Sequence, residues 1–401
     1  MKSRCFSLAA LLLALVLAVS FAGCGGGGGS ETPGAGSGGD AQTVKIGGIF
    51  DLTGGTGDVG APYAEGARAY VDYYNNKGSG TKVVLEDIDY AYQINRAKEA
   101  YDKLVKSTGV AAILGWGTGD TEALKSFIAR DKIPYISGSY SEGLADINTC
   151  PYNFLVAATY SDQARVALKW AKENWKESRK PRVAFVFNDT PFGRSPVEDA
   201  KKFASELGFE VVGDEVIDLK ALDATTQMLG LQKKQADFAI IQGTSNLTAT
   251  TLKDAKKLGL KTQFIGLNWA ADEKVIQLAG PAAEGYIGVI PFAFPYDQVP
   301  GMGEVKAYLE AKGKKLEDVN QKFVQGWVSA KIMVEAINRA GTNPTGESIR
   351  AALETLDGYD TGGLCAPVTY TAESHRGSEK VRLAQVKDGK FVYLTDWIGY
   401  K

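Results

Sequence analysis

The sequence predicts an α/β fold built as two lobes in tandem, each around a parallel sheet, and three observations carry that reading. From Thr43 onward, short β-branched runs alternate with amphipathic stretches, the pattern of parallel strands covered by helices. The alternation runs twice before a helical group and a final hairpin break it. A chain of 401 residues, at roughly 100 to 200 residues per domain, is also long enough for two sizeable cores.

In the first run the predicted strands are Val44 to Phe50, Lys82 to Ile88, Val110 to Leu114 and Pro134 to Ile136. Helices are predicted between them over Tyr63 to Asn76, where Ala64, Ala67, Val71 and Tyr74 share a face, over Ile94 to Ser107 and over Thr121 to Arg130. The second run places strands at Arg182 to Phe187, Glu210 to Ile217, Asp237 to Gln242 and Gln263 to Gly266. Its helices fall near Ser161 to Glu177, Ser195 to Leu207, Thr225 to Lys234 and Leu247 to Leu258. After a strand at Tyr286 to Ile290 come helices near Gly303 to Lys312, Gln321 to Ala340 and Gly346 to Thr355. Strands at Val368 to Tyr370, Val381 to Lys387 and Phe391 to Thr395 close the chain, the last two joined by the Asp388-Gly389 pair favoured in tight hairpins. This ending suits a chain that recrosses between lobes.

Composition excludes several function classes. Hydrophobic residues at 44% and charged residues at 23% are globular values. A formal charge of −2 lacks the clustered basic excess of a nucleic-acid binder. At the N-terminus Lys2 and Arg4 precede an uncharged run from Phe6 to Ala22 that ends in small residues, the order of a secretory signal. No later segment is long and apolar enough to span a bilayer. The run ends Ser20-Phe21-Ala22-Gly23-Cys24, which resembles the bacterial lipobox, with Phe21 where Leu is usual. That resemblance implies a signal over 1–23, acylation at Cys24 and a membrane anchor. A glycine-rich stretch over 24–42 then reads as a flexible tether.

Catalytic machinery is scarce. The only histidine, His375, lies in the polar stretch Glu373-Ser374-His375-Arg376-Gly377, read as a solvated loop, and no Cys or His pair has metal-ligand spacing. No cofactor is expected. Gly55-Thr56-Gly57-Asp58-Val59-Gly60 fits G-x-G-x-x-G, but the acidic residue due about 20 positions later is missing. It reads instead as a turn that lets a ligand approach the backbone. Gly115-Trp116-Gly117-Thr118-Gly119-Asp120-Thr121 opens a helix with exposed N–H groups and hydroxyls, a setting that favours an anion such as a carboxylate. Ser137-Gly138-Ser139-Tyr140-Ser141 repeats the arrangement after the next strand. With Cys5 lost in the signal and Cys24 acylated, Cys150 and Cys365 are the remaining thiols in an oxidising compartment and are expected to pair as a disulfide.

The order of landmarks resembles the type I periplasmic solute-binding proteins, in the branched-chain amino acid and amide group of ABC-transporter receptors. The landmarks are Asp51-Leu52-Thr53-Gly54 up to Gly60, Ile113-Leu114-Gly115, Ile133-Pro134-Tyr135-Ile136-Ser137, Asn188-Asp189-Thr190-Pro191-Phe192-Gly193 and Lys387-Asp388-Gly389-Lys390-Phe391. The resemblance implies two doubly wound parallel-sheet lobes joined by a multi-strand hinge, closing like a flytrap. It places lobe one at 43–156 plus 291–363 and lobe two at 157–290 plus 364–401. It implies an exported, lipid-anchored, monomeric receptor for a small ligand, partnered by a membrane permease. A sensor lobe reporting to a membrane receptor is one alternative, and an exported α/β enzyme is another.

Carried over position by position, the resemblance implies that Thr118, Gly119, Thr121 and Ser141 hold an α-carboxylate and that the Ser139 carbonyl accepts from an ammonium. Phe192 would close over the ligand, and Thr244 stands in a loop beside it. Asp58, Trp116, Asp120 and Tyr140 complete the expected surroundings. Two positions depart from the pattern. Asn268 and Trp269 stand where leucine-type receptors carry the acidic ammonium partner, and Val59 replaces an aromatic. An amino-acid ligand then needs Asp120, Asp189 or Asp272 as counter-charge, because a buried unpaired ammonium is costly. Otherwise the ligand is an aromatic or other small carboxylic acid, or an amide.

Overall fold

The computed structural model describes residues 43–78 and 80–401. The signal, Cys24 and the tether lie outside the described residues. Twelve strands are described: β1 (Thr43–Phe50), β2 (Lys82–Asp89), β3 (Ala112–Leu114), β4 (Tyr135–Ile136), β5 (Asn153–Phe154), β6 (Arg182–Phe187), β7 (Glu210–Val216), β8 (Phe238–Gln242), β9 (Gln263–Gly266), β10 (Ile287–Ile290), β11 (Arg382–Lys387) and β12 (Lys390–Tyr393). The helices are α1 (Gly57–Asn76), α2 (Ile94–Asp102), α3 (Thr118–Asp131), α4 (Tyr160–Asn174), α5 (Pro191–Arg194), α6 (Val197–Glu206), α7 (Thr225–Lys234), α8 (Ser245–Lys257), α9 (Glu273–Ala279), α10 (Pro300–Ala311), α11 (Gln321–Ala340) and α12 (Gly346–Leu353).

Two open sheets result. The first has the order β2-β1-β3-β4-β5 and the second β12-β11-β10-β9-β8-β6-β7. All pairs of the first are parallel, as are those from β7 through β10. Within those parallel strands both sheets follow one order, second-first-third-fourth-fifth, which puts a topological switch point beside β1 and another beside β6. Strands β3 to β5, β8 and β10 are buried along their whole length, as sheets covered on both faces require. The final hairpin adds antiparallel β11 and β12, and its turn holds Asp388 at φ 50° and Gly389 at φ 74°, the left-handed pair of a type I′ turn.

Helix α1 begins at Gly57, six residues before the predicted start at Tyr63. Pro62, a residue type that usually kinks or ends a helix, sits inside it. Its missing N–H deprives the Asp58 carbonyl of a helical donor, and Lys274 Nζ from α9 donates to that oxygen at 3.3 Å. Helix α11 lies against α1 at backbone contact. A Cβ built at Gly66 would sit 1.9 Å from Phe323 O, and one at Gly326 would sit 1.8 Å from Tyr63 O.

Several expectations need correction. The helix predicted over Ile94 to Ser107 widens into a π-helix over Lys103–Thr108. The one expected over Ser195 to Leu207 starts after Pro196. The strand predicted at Val368 to Tyr370 reduces to a single bridge between Val368 and Tyr359.

His375 is buried rather than solvated. Its ring stacks 3.7 Å from Phe154, with Nδ1 3.0 Å from Asn153 O and Nε2 3.0 Å from Glu354 Oε1. Burial lowers its pKa below the ordinary value near 6.5, against the opposing pull of Glu354 and the Asn153 carbonyl. The unfolded imidazole therefore takes a proton that the folded one refuses, and stability falls as pH drops from about 6.5 towards the depressed value. Because the chain has one histidine, an NMR titration reads it directly. The native resonance should titrate with a midpoint below 6.5, and a midpoint at or above 6.5 would contradict this.

The expected disulfide is absent, since Cys150 and Cys365 are both free and buried. Cys150 lies in the loop before β5, where its sulfur meets Gly143 O and Thr149. Cys365 bridges to Phe292 and its sulfur sits 3.4 Å from Thr361 Oγ1. The two sulfurs share none of these neighbours, whereas a disulfide needs Cβ atoms about 4 Å apart.

Candidate functional site

In open α/β sheets, ligands bind beyond the carboxyl ends of strands at the switch point, and here both switch points supply the same cavity. The β1 end runs into Asp51, whose carboxylate gathers the next turn. Gly54 N donates to Oδ1 at 2.6 Å, while Thr56 N and Oγ1 donate to Oδ2 at 2.8 and 2.7 Å. Thr56 Oγ1 in turn accepts from Trp116 Nε1 at 2.8 Å, which ties the β1 turn to the one after β3. From the second sheet, the ends of β6, β8 and β9 deliver Phe192, Thr244 and Trp269.

The cavity between these ends is small, with about 20 Å³ of free space, and is lined by Thr56, Val59, Tyr92, Trp116, Gly117, Gly138, Tyr160, Phe192, Thr244 and Trp269. Trp116 and Trp269 meet edge to face with centroids 4.7 Å apart. Tyr160 packs edge-on against Phe192 at 5.6 Å, and its hydroxyl accepts from Trp269 Nε1 at 2.9 Å. Thr56, Gly117 and Thr244 are the N-caps of α1, α3 and α8, and Tyr160 is the first residue of α4. Three helix starts and a fourth beside them thus face one small aromatic chamber.

Of the residues singled out in the sequence, Val59, Trp116, Phe192, Thr244 and Trp269 line this cavity. The hydroxyls expected to hold a carboxylate lie one layer back. Thr118 Oγ1 pairs with Ser139 Oγ at 2.6 Å, Thr121 Oγ1 donates to Gly117 O at 2.6 Å, and the Ser139 carbonyl accepts from Ser137 Oγ. Ser141 Oγ accepts from Ser195 Oγ across the cleft at 2.9 Å. Tyr140 stacks parallel to Trp269 at 6.4 Å, its hydroxyl held by Gln325. A Cβ at Gly119 would lie 3.3 Å from Pro191 Cγ, so Gly119 marks where the two lobes meet.

Asp58 also reaches across the cleft, its Oδ2 accepting from Asn246 N at 2.8 Å. Asn268 is fully buried, with N donating to Gln163 Oε1, and neither atom of its side-chain amide finds a partner among the described residues.

Among the candidate counter-charges, Asp189 is an exposed partner of Arg194 and is away from the cavity. Asp272 caps α9 and accepts from Ser245 and Asn320. Asp120 sits behind Gly117, fully buried, accepting from Tyr90 Oη at 2.8 Å and Gly117 N at 3.1 Å. Burial pushes its pKa up to about 7, against those hydrogen bonds. No carboxylate lines the cavity itself.

Sequence reasoning did not single out Thr56, Tyr92, Tyr160 or Lys322. Tyr92 enters from a pair of left-handed residues, Ala91 at φ 50° and Tyr92 at φ 57°. Neither is glycine or asparagine, so no composition signal marks the turn. Lys322 is completely buried on α11, with Nζ donating to the Asn268 and Ala271 carbonyls and to Gln321 Oε1. Burial pulls its pKa down to about 8, opposed by Asp272, Glu273 and Asp58.

A sequence model of the periplasmic binding proteins matches residues 43–390. The Leu/Ile/Val-binding protein of Citrobacter freundii is 26% identical over 71% of this chain and 76% of its own length. The leucine-, isoleucine-, valine-, threonine- and alanine-binding protein of Pseudomonas aeruginosa is 24% identical over 86% and 93%. A solved branched chain amino acid ABC transporter structure from Thermus thermophilus, with bound valine, superposes with a TM-score of 0.84 at 29% identity, covering 89% of this chain and 96% of that one. A fatty acid ABC transporter substrate-binding protein from Thermomonospora curvata shares the fold with a TM-score of 0.80 at 22% identity, covering 89% and 92%. With the match spanning both sheets and the switch-point cavity between them, the chain belongs to the periplasmic binding protein family, whose members here are solute-binding proteins and not enzymes.

Proposed function

We propose that the protein is the exported substrate-binding component of an ABC importer, whose lobes close on a small hydrophobic amino acid. One observation carries this reading: three helix N-caps converge on a small cavity walled by aromatic rings. Helix starts favour an anion through their dipole, here beyond the Thr56, Gly117 and Asn246 N–H groups that Asp51, Asp120 and Asp58 already take, while the rings favour an apolar side chain. With about 20 Å³ of free space, little more than the roughly 10 to 15 Å³ a single water needs, the cavity widens when a ligand enters. Contacts such as Ser195 to Ser141 and Asn246 to Asp58 exist only with the lobes together. A ligand touching both lobes then shifts the population towards a closed form with the cavity widened around it. The branched-chain amino acid binding named for relatives at 24 to 29% identity supports the ligand class. In this reading Cys24 carries the lipid anchor, the receptor is a monomer, and the closed form docks on a membrane permease.

The lining favours a second ligand reading, a small aromatic or aliphatic carboxylic acid without an ammonium, because no carboxylate faces the cavity. A thermal-shift screen of refolded, ligand-stripped protein separates the two, since a ligand at a hundredfold its Kd stabilises by about 2.7 kcal/mol. Leucine, valine and phenylalanine should raise the melting temperature while their 2-oxo acids do not. The reverse result selects the second reading. A response to the amides alone would exclude the anion-binding role altogether.

A further inference from the structure

We propose that Lys322 is a positioning residue that fixes Trp269 as the second lobe's wall of the cavity, and so sets the size of side chain the site accepts. Lys322 stands in the first turn of α11, a helix packed along α1 beside the first sheet, whereas Trp269 follows β9 in the second. The Lys322 ammonium crosses between them. It donates to the carbonyls of Asn268 and Ala271, which bracket the short 3-10 turn carrying Trp269, and its third bond goes to Gln321 Oε1. It also lies 5.3 Å from the Trp269 ring centroid, inside the range of a cation–π contact. Gln321 is held by its own neighbours, with Nε2 on Phe292 O at 3.1 Å and N on Glu273 Oε2 at 3.0 Å. Every donor of the ammonium is therefore used, as a buried lysine requires.

The turn has few other fixings on that side. Asn268 contributes a backbone bond to Gln163 but no side-chain bond, and Ala270 O takes Tyr286 Oη. Trp269 itself is held by Tyr160 Oη and by three rings of the first lobe, Trp116, Tyr140 and Tyr63. Without the ammonium, the Ala271 carbonyl loses its Lys322 donor, the Asn268 carbonyl keeps only Ala271 N at 3.3 Å, and the indole loses the contact at 5.3 Å. The ring is then free to withdraw from the cavity it shares with Trp116.

The positioning role is tested without any ligand by fluorine NMR of the full chain labelled with 5-fluorotryptophan. The six tryptophans are assigned by single Trp→Phe changes. Lys322→Met, which keeps the stem and removes the charge, should move and broaden the resonances of Trp269 and Trp116. Those of Trp170, Trp175 and Trp397 should hold, as should Trp327 on the same helix. An unmoved Trp269, or a Trp327 that shifts as far, overturns the proposal. Should Lys322→Met fail to fold, Lys322→Gln, which retains an N–H donor, is judged by the same criterion.

The specificity role rests on the cavity being the ligand site and is read separately, with leucine and phenylalanine as probes. The variant should change the ratio of their affinities at least tenfold in favour of phenylalanine. A displaced Trp269 with an unchanged ratio overturns the specificity role alone. A wild-type protein that binds neither probe counts against the amino-acid reading and against the specificity role, while the spectra still decide the positioning role.

Discussion

Gly117→Ala should reduce ligand affinity at least a hundredfold, the largest effect expected of any single methyl group in this protein. A Cβ at that position would lie 2.4 Å from Asp120 Oδ1 and 2.9 Å from both Tyr90 Oη and Tyr92 Cε2. All three belong to the hydrogen-bonded layer or the lining of the cavity. The backbone there is ordinary, with φ −85° and ψ 172°, so the effect comes from space and not from conformational strain. Asp120 has little freedom to retreat, because Tyr90 Oη and Gly117 N already occupy its two oxygens. The methyl therefore pushes Tyr92 into the chamber or lifts the N-cap of α3 from the anion it faces. A hundredfold loss corresponds to about 2.7 kcal/mol, and stability should fall by about 1 to 3 kcal/mol from overpacking. Calorimetric titration with the best amino acid of the thermal screen measures it. An affinity within threefold of wild type would remove Gly117 from the site. Gly143→Ala is the natural control, since nothing lies within 4 Å of its Cβ position.

The largest loss of stability is expected from Gly326→Ala. The new Cβ would fall 1.8 Å from Tyr63 O, 2.7 Å from Tyr63 C and 3.1 Å from Ala67 N. These are backbone atoms of α1, so no side-chain rotation relieves the overlap and the two helices must separate. Overpacking in cores costs roughly 1 to 3 kcal/mol and occasionally more. This contact should fall at or above the top of that range, because α11 is buried along most of its length. Urea denaturation should show a lower midpoint with an unchanged slope. A loss below about 1 kcal/mol would mean that the helices do not meet at this point. Gly303→Ala in α10 makes the opposite case. Nothing lies within 4 Å of its Cβ position, and alanine is the better helix former by roughly 1 kcal/mol, so stability should rise.

Alternation of β-branched and amphipathic runs made both parallel sheets readable before any coordinates, because strands buried on both faces need continuous apolar segments. The C-terminal hairpin was equally readable, its Asp388-Gly389 turn being a local property. Boundaries set by tertiary contact were not. The start of α1 falls six residues before the expected Tyr63 and takes in Pro62, whose freed carbonyl partner, the Asp58 oxygen, accepts from Lys274 in the opposite lobe. His375 sits among polar neighbours in sequence, yet Phe154 and Glu354 bury it from distant positions. Cys150 and Cys365 looked like a pair by elimination, and elimination carries no geometry. At the site, the turns after β1, β3 and β4 were legible because strand ends are where ligands bind in such sheets. Phe192, Thr244 and Trp269 came instead from the family resemblance, carried over position by position, with Trp116 in the glycine-rich turn after β3. Which hydroxyls face the cavity and which face each other was not legible, so Thr118 and Thr121 emerge one layer back. Lys322 reads as one more charged residue on an amphipathic helix, and only the approach of Asn268 and Ala271 reveals its work.

The proline inside α1 has a consequence for how the two lobes hold each other. A helix normally keeps its carbonyls to itself, so a contact between lobes depends on side chains that drift in evolution. Pro62 releases one main-chain oxygen, at Asp58, and Lys274 of the facing lobe takes it. Any residue at position 58 carries that oxygen. The Lys274 contact therefore does not need the Asp58 side chain, whose own hold on Asn246 N is a separate link across the cleft.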